Sequence, residues 1–213
     1  MNPHLQDLLK RVPALECCAT DIDAALALML SAYEDGHKLL LCGNGGSAAD
    51  AEHWSGELLK GFIQPRPLPP SQASQLPPEL TGHLQWALPA IPLNGFLSLS
   101  SAYSNDVHGD MVLAQLTWGL GQSGDVLVGI STSGDSRNVC LAAQAAQAKG
   151  LKVLGLTGQN GGKLASLADV CIRVPASKTY LIQEYHLPVY HALSIMLEDA
   201  WSDRLARQAS GRE

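Results

Sequence analysis

Three observations predict a three-layer α/β sandwich around one parallel sheet of about five strands. Apolar runs without alternation recur along the chain, among them "KLLLC", "DVLVGI", "KVLGL" and "VCIRV". Strands buried on both faces read this way, because neither side of the pleat meets water. Each run ends in a glycine- or serine-rich turn, and a segment of helical character follows. Strand, turn and helix repeated in that order is the signature of βαβ crossovers.

The elements follow in order. Apolar residues at 15, 18, 22, 25, 26, 29, 30 and 33 recur every three or four positions, which predicts an amphipathic helix over 15–33. It falls in an N-terminal helical segment, residues 1–36. "HKLLLCG" (37–43) is a strand, and "SAADAEHWSGELLK" (47–60) is the helix after it. Eight of the twelve prolines lie between Pro65 and Pro92, so residues 63–89 read as a long inserted loop with a short helix near "PELTGHLQW". Loops of that length serve as lids, interface segments or mobile regions, or are solvated insertions without a role. "ALPAIPL" (87–93) is a strand shortened by its prolines. "DVLVGI" (125–130) leads through "STSGDS" into the helix "RNVCLAAQAAQAKG". "KVLGL" (152–156) leads through "TGQNGG" into "KLASLAD", and "VCIRV" (170–174) precedes a long helix from about 179 to 205. Together these make a single domain over 1–213.

Composition bounds the function. Of 213 residues, 46% are apolar and 16% charged, which is the balance of a folded protein with a sizeable core. A formal charge of −6 with no basic stripe argues against nucleic-acid binding. No run of roughly 18 apolar residues predicts a membrane span. The N-terminus carries charges and a proline where a secretion signal would be apolar. Cysteines 17, 18, 42, 140 and 171 are odd in number and form no CxxC pair, so a reduced, cytoplasmic setting is expected.

In parallel sheets ligands bind beyond the carboxyl ends of the strands, where three turns sit: 43–47, 131–136 and 157–162. Gly43, Gly45 and Ala48 satisfy GxGxx(G/A). A dinucleotide site also needs an acid at the end of the next strand, and residues 61–78 contain none. "TGQNGGKL" fails as a P-loop, because Thr157 and Leu164 stand where Gly and Ser or Thr are required. No nucleotide cofactor is therefore expected. Ser131, Thr132, Ser133 and Ser136 place four hydroxyls between a buried strand and a helix start. Hydroxyls and unpaired N–H groups there suit a phosphate dianion. Helix capping alone needs one serine. With no lysine or magnesium-binding acid nearby, a phosphate monoester is the expected ligand.

His53 and Glu57 share one face of their helix at i and i+4. "IQEYHLPVYH" carries Gln183, Glu184, His186 and His191 on the last helix. Gln183 and His191 lie about 12 Å apart along its axis. Two imidazoles, a carboxylate and an amide form a donor set for zinc or a similar ion. A His–Glu pair at this spacing is also an ordinary surface contact.

The stretches "GNGGSAADAEH…EL", "AYSND", "GDVLVGISTSGDSRNV", "GLTGQNGGKLASLADVCIRVP" and "IQEYHLPVYH" occur in that order over about residues 15–200. They resemble the sugar isomerase (SIS) domain, and specifically the phosphoheptose isomerases. The resemblance implies a flavodoxin-like fold and a homotetramer with active sites between subunits. The implied reaction converts sedoheptulose 7-phosphate to D-glycero-D-manno-heptose 7-phosphate through an enediolate. Glu57 would be the base and His191 its acid/base partner. His53, Glu57, Gln183 and His191 would hold zinc. Ser131, Thr132, Ser133 and Ser136 would bind the phosphate; Asn44, Gly45, Gly46, Ser47, Asn105, Asp106 and Gln183 would line the sugar side. Three features depart from the pattern: Gly61 (beside Lys60) and Leu181 stand where arginines are usual, and the proline-rich insertion is extra. These departures bear on the substrate more than on the reaction type. Other members of the family are non-catalytic adaptors of a replication initiator, sugar-phosphate sensors or isomerases of other phosphosugars. Retention of Glu57 and His191 points to an enzyme.

Overall fold

The computed structural model describes the backbone of residues 1–209 and the side chains of residues 1–204. Residues 210–213 of the expected domain lie outside the described residues. Five strands, Leu39–Cys42 (β1), Ala90–Pro92 (β2), Val126–Ile130 (β3), Lys152–Gly158 (β4) and Val170–Val174 (β5), form one parallel sheet in the order β2-β1-β3-β4-β5. This is the 2-1-3-4-5 order of flavodoxin-like folds. The chain leaves β1 for β2 on one side and returns to β3 on the other. The crevice at that reversal is where such sheets bind ligands.

Strand alternation sends successive residues to opposite faces, and each face has its own core. Leu39, Leu41, Val126, Val128, Leu154, Leu156 and Ile172 pack beneath helices α1 (Pro3–Arg11), α2 (Ala19–Glu34), α3 (Gly46–Leu59) and α10 (Thr179–Ala209). Leu40, Cys42, Leu127 and Val153 pack beneath α7 (Val112–Leu120), α8 (Arg137–Ala148) and α9 (Gly162–Leu167). Each such Leu or Val contributes roughly 1.5–3 kcal/mol by leaving water. Pro92 is tolerated because β2 is an edge strand.

Most of the expected helix over 15–33 is present as α2, with its first residues in a 3-10 turn, and a further helix, α1, precedes it in the helical segment 1–36. Pro13 disfavours helical backbone at Val12, which adopts φ −132°, ψ 73°. The chain therefore forms α1, a 3-10 turn at Pro13–Cys18 and then α2. Leu5, Leu8, Ile22, Ala25 and Met29 are buried with Val189, Leu193 and Met196 of α10, so the apolar face is covered within its own chain. Residues 97–120 add α6 (Leu97–Tyr103), a π-helical turn at Ser104–His108, a 3-10 turn at Gly109–Met111 and α7.

The proline-rich insertion holds two four-residue helices, α4 (Pro70–Ala73) and α5 (Pro78–Thr81). Its ends meet: Pro67 bridges Gln85, and the Trp86 N–H donates to the Arg66 carbonyl at 2.8 Å. A cleft of about 850 Å³ lies between prolines 65–70 and Trp86 and Trp201. The two indoles stack at 4.5 Å. The root of the insertion is fixed. Glu198, 2% exposed, accepts the N–H groups of Phe62, Ile63 and Gln64 at 2.8, 2.9 and 3.0 Å. Arg66 stands 3.3 Å from the same carboxylate and donates through Nη2 to the carbonyls of Glu57 and Leu58, capping α3. Among the described residues no helix is long and apolar enough to cross a membrane.

Candidate active site

The turn after β1 is set by glycines. Gly45 adopts φ +54°, which disfavours any side chain. A Cβ at Gly46 would collide with the Gln183 amide, so Gln183 packs directly on the first turn of α3. Ser47 is buried there, its N–H donating to the Asn44 carbonyl at 3.0 Å. Asn44 and Asn138 exchange two side-chain hydrogen bonds of 2.8 Å each, joining the β1 turn to the start of α8. The two turns flanking the β1/β3 reversal thus form one continuous wall.

On the β3 side, the buried Ser131 hydroxyl donates to Ser136 Oγ at 2.9 Å and accepts the Gly134 N–H at 3.1 Å. Ser133 Oγ accepts the Asp135 N–H at 3.1 Å. Ser136 occupies the N-cap of α8 but makes no capping hydrogen bond. Its hydroxyl is therefore directed into the turn with Ser131, beside the positive end of a twelve-residue helix. Thr132 holds the strand end through its carbonyl, which accepts the Gly158 N–H at 3.0 Å. Asn105 and Asp106 lie in the π-helical turn and bond to each other at 2.8 Å. That segment reaches the cradle helix through Asp110, 3.4 Å from Arg137.

A second cluster forms where α3 and α10 run side by side. Gln183 meets Gly46, and the Tyr190 hydroxyl stands 2.9 Å from His53 Nδ1, a nearly constant sequence offset that makes the two helices parallel. His53 Nε2 lies 3.1 Å from Glu57 Oε1, and Lys60 Nζ donates to Glu57 Oε2 at 3.0 Å. The Glu57 side chain is 14% exposed. The His191 ring lies 5.2 Å from the His53 ring and 5.3 Å from Phe62. Burial, reinforced by His53, lowers the His191 pKa, and its Nε2 is buried with no hydrogen-bond partner. Burial raises the Asp50 pKa, although the Tyr190 hydroxyl 3.3 Å away opposes the shift.

The structure thus brings together Glu57, His53 and His191, and separately Asn44 with the serine cradle. It places Gln183 at Gly46, about 10 Å along α3 from His53. His186, on the same stretch of α10, is a core residue whose Nε2 is 3.3 Å from the Thr157 carbonyl. The donor set of the second cluster fits a cation such as zinc. Two ligands of tetrahedral zinc stand roughly 3.3 Å apart, and His53 and Glu57 are separated by 3.1 Å. The orphaned His191 nitrogen supplies a third donor. As they stand, no three His, Cys, Asp or Glu side chains among the described residues converge on one point. Sequence reasoning missed Asp50, Tyr190 and Asn138. Asp50 alone left a signal, three residues before His53 and seven before Glu57 on the same helical face.

Comparison with known proteins places the fold in a family. The SIS domain family model matches residues 4–158. Phosphoheptose isomerase of Rhodospirillum rubrum is 39% identical over 183 residues, covering 86% of this chain and 87% of that protein. The solved phosphoheptose isomerase of Neisseria gonorrhoeae superimposes with a TM-score of 0.73 at 34% identity, over 92% of this chain and 95% of that one. That of Francisella tularensis gives 0.74 at 31% identity, over 89% and 91%. The chain belongs to the SIS-domain family and, within it, to the phosphoheptose isomerases, a family of phosphosugar isomerase enzymes.

Proposed function

We propose that the protein interconverts sedoheptulose 7-phosphate and D-glycero-D-manno-heptose 7-phosphate, with Glu57 as base and His191 as proton carrier. The observation that carries the reading is the cluster itself: a shielded Glu57 carboxylate and a buried His191 imidazole with an unpartnered Nε2, both packed on His53. Ketose–aldose isomerisation moves one proton between neighbouring carbons and another between their oxygens. Glu57 takes the first from the carbon next to the carbonyl and returns it to the adjacent carbon. His191, its pKa lowered by burial, gives a proton to one oxygen and accepts one from the other. Ser131, Thr132, Ser133, Ser136 and the N-terminus of α8 hold the phosphate. Asn44, Ser47, Asn105, Asp106 and Gln183 take the sugar hydroxyls. His53, Glu57 and His191 would hold zinc, which when bound supplies positive charge for the developing enediolate. Gln183, expected as a fourth ligand, packs on Gly46 about 10 Å along α3 and is too far to share that ion.

The cradle and the proton-moving cluster stand at opposite ends of α3. From Gly46 to Glu57 the helix rises about 16 Å. That separation supports sites shared between subunits, the cradle of one facing the cluster of its neighbour; the homotetramer itself rests on the family resemblance. The test is a turnover assay on sedoheptulose 7-phosphate with Glu57→Gln, Ser131→Ala and a co-assembled mixture of the two. Glu57→Gln is expected to lose about 10²–10⁴-fold in kcat. Shared sites would let the mixture recover part of the wild-type rate. An active Glu57→Gln enzyme refutes the mechanism, and an inactive mixture refutes the shared site.

A further inference from the structure

We propose that Asp50 and Tyr190 form a relay that decides which ring nitrogen of His53 carries its proton, and so prepares Nε2 to take a divalent cation beside Glu57. The proposal rests on the reading of His53 and Glu57 as cation ligands. The Tyr190 oxygen lies 2.9 Å from His53 Nδ1 and 3.3 Å from Asp50 Oδ1. A phenol has one proton, so it can donate to only one of these acceptors at a time. In the first arrangement the hydroxyl donates to Nδ1, and the ring proton sits on Nε2 and bonds Glu57 Oε1 at 3.1 Å. In the second, the hydroxyl donates to Asp50 and Nδ1–H donates to the tyrosine oxygen. The Nε2 lone pair then faces a carboxylate oxygen, which is unfavourable unless a cation lies between them.

Cation binding is therefore coupled to the second arrangement. The ring proton leaves Nε2 and one is taken up at Nδ1, so His53, Tyr190 and Asp50 keep their charges and their proton count. Tyr190 is built to hold this choice. Its side chain is fully buried and its ring stacks on Trp54 at 5.5 Å and 19°, so the hydroxyl can turn while the ring stays fixed. Asp50 and His53 are one turn apart on α3, which keeps both acceptors in reach of the same oxygen. Outer partners of this kind raise metal affinity about 10–100-fold.

The test uses the full chain with ¹⁵N-labelled histidine. Long-range ¹H–¹⁵N spectra would identify the protonated nitrogen of His53 with and without zinc. Chelator competition would give zinc affinity for wild type, Tyr190→Phe and Asp50→Asn, each with its melting temperature. The proton is expected to move from Nε2 to Nδ1 on zinc binding, and each variant to bind zinc about 10–100-fold more weakly. Tyr190→Phe keeps the stack on Trp54; if it fails to fold, Asp50→Asn carries the test. An unchanged tautomer, or variants that bind zinc as tightly as wild type, overturns the relay and leaves the cation reading standing. Wild-type protein that binds no zinc overturns both, while the role of Glu57 as base is judged separately by Glu57→Gln.

Discussion

Glu198→Gln is expected to destabilise the protein far more than an ordinary α10 substitution, and to slow the enzyme as well. The carboxylate accepts three backbone N–H groups and faces the Arg66 guanidinium at 3.3 Å, with both side chains under 5% exposed. Glutamine keeps one acceptor oxygen and turns an NH₂ toward at least one of those donors. It also leaves Arg66 a buried charge without a counter-ion. Breaking a buried pair from one side costs about 3–5 kcal/mol. For a chain of this size each kcal/mol moves Tm by about 2–4 °C, so a fall of roughly 10 °C is expected. Activity should drop too, because the same carboxylate positions Phe62, which packs on His191 at 5.3 Å. Urea unfolding of Glu198→Gln, Arg66→Met and the double variant checks this. The double variant should lose less than the sum of the singles, by about 0.5–3 kcal/mol. A Glu198→Gln loss under about 1 kcal/mol, or strict additivity, refutes the reasoning.

Three further outcomes are expected. Ser131→Ala should lower kcat/KM about 10–100-fold with little change in Tm, since a hydrogen bond to a charged group is worth about 1.5–3 kcal/mol; inhibition by inorganic phosphate should weaken in parallel. Gly46→Ala should push the Gln183 amide off the first turn of α3, costing about 1–3 kcal/mol and reducing turnover; an unchanged rate would remove Gln183 from the substrate side. Burial pushes His186 down to about 4 from an ordinary 6.5. Its depressed folded value means that the unfolded chain binds the extra proton first. Stability is full above pH 6.5 and falls as the pH drops toward 4, by about 3 kcal/mol in all. Urea unfolding at pH 7 and pH 5 should show a smaller loss in His186→Gln than in wild type.

All five strands were legible because parallel strands buried on both faces carry uninterrupted apolar runs, as in "KLLLC" and "DVLVGI". The turns that follow β1 and β3 were legible for a local reason too, since glycines and clustered hydroxyls mark such turns in sequence. The expected N-terminal helix over 15–33 is present as α2, but its first turn is 3-10 rather than α, because the chain enters it from Pro13 through a turn that apolar spacing alone does not reveal. Residues 97–120 gave no clear period; "LSLSSAYSND" mixes serines into every face, and its π turn follows no fixed repeat. In the site, His53 and Glu57 are four residues apart and were found. Tyr190 with Asp50, and Arg66 with Glu198, are pairs 140 and 132 positions apart, and only tertiary packing brings them together.

The two departures from the family pattern near α3 are one change. A Cβ at Gly61 would collide with the Gln64 carbonyl, and the Gly61 N–H is already committed to Gln85 Oε1 at 2.7 Å. The turn that opens the insertion therefore fills the space a side chain at 61 would need. That turn is in turn held by Glu198 through three backbone N–H groups. A side chain at 61 is incompatible with this insertion root, and the cation beside Glu57 in this chain is Lys60. Its position also sets the two Glu57 oxygens in different surroundings: Oε1 faces His53 and Oε2 faces Lys60. A carboxylate has lone pairs enough to hold a cation with one oxygen and accept a proton with the other. Lys60 is 60% exposed, so its ion pair is worth at most about 1 kcal/mol and an arriving substrate can displace it. Under the proposed mechanism the oxygen freed beside Lys60 would be the base, and the oxygen facing His53 would be the ligand.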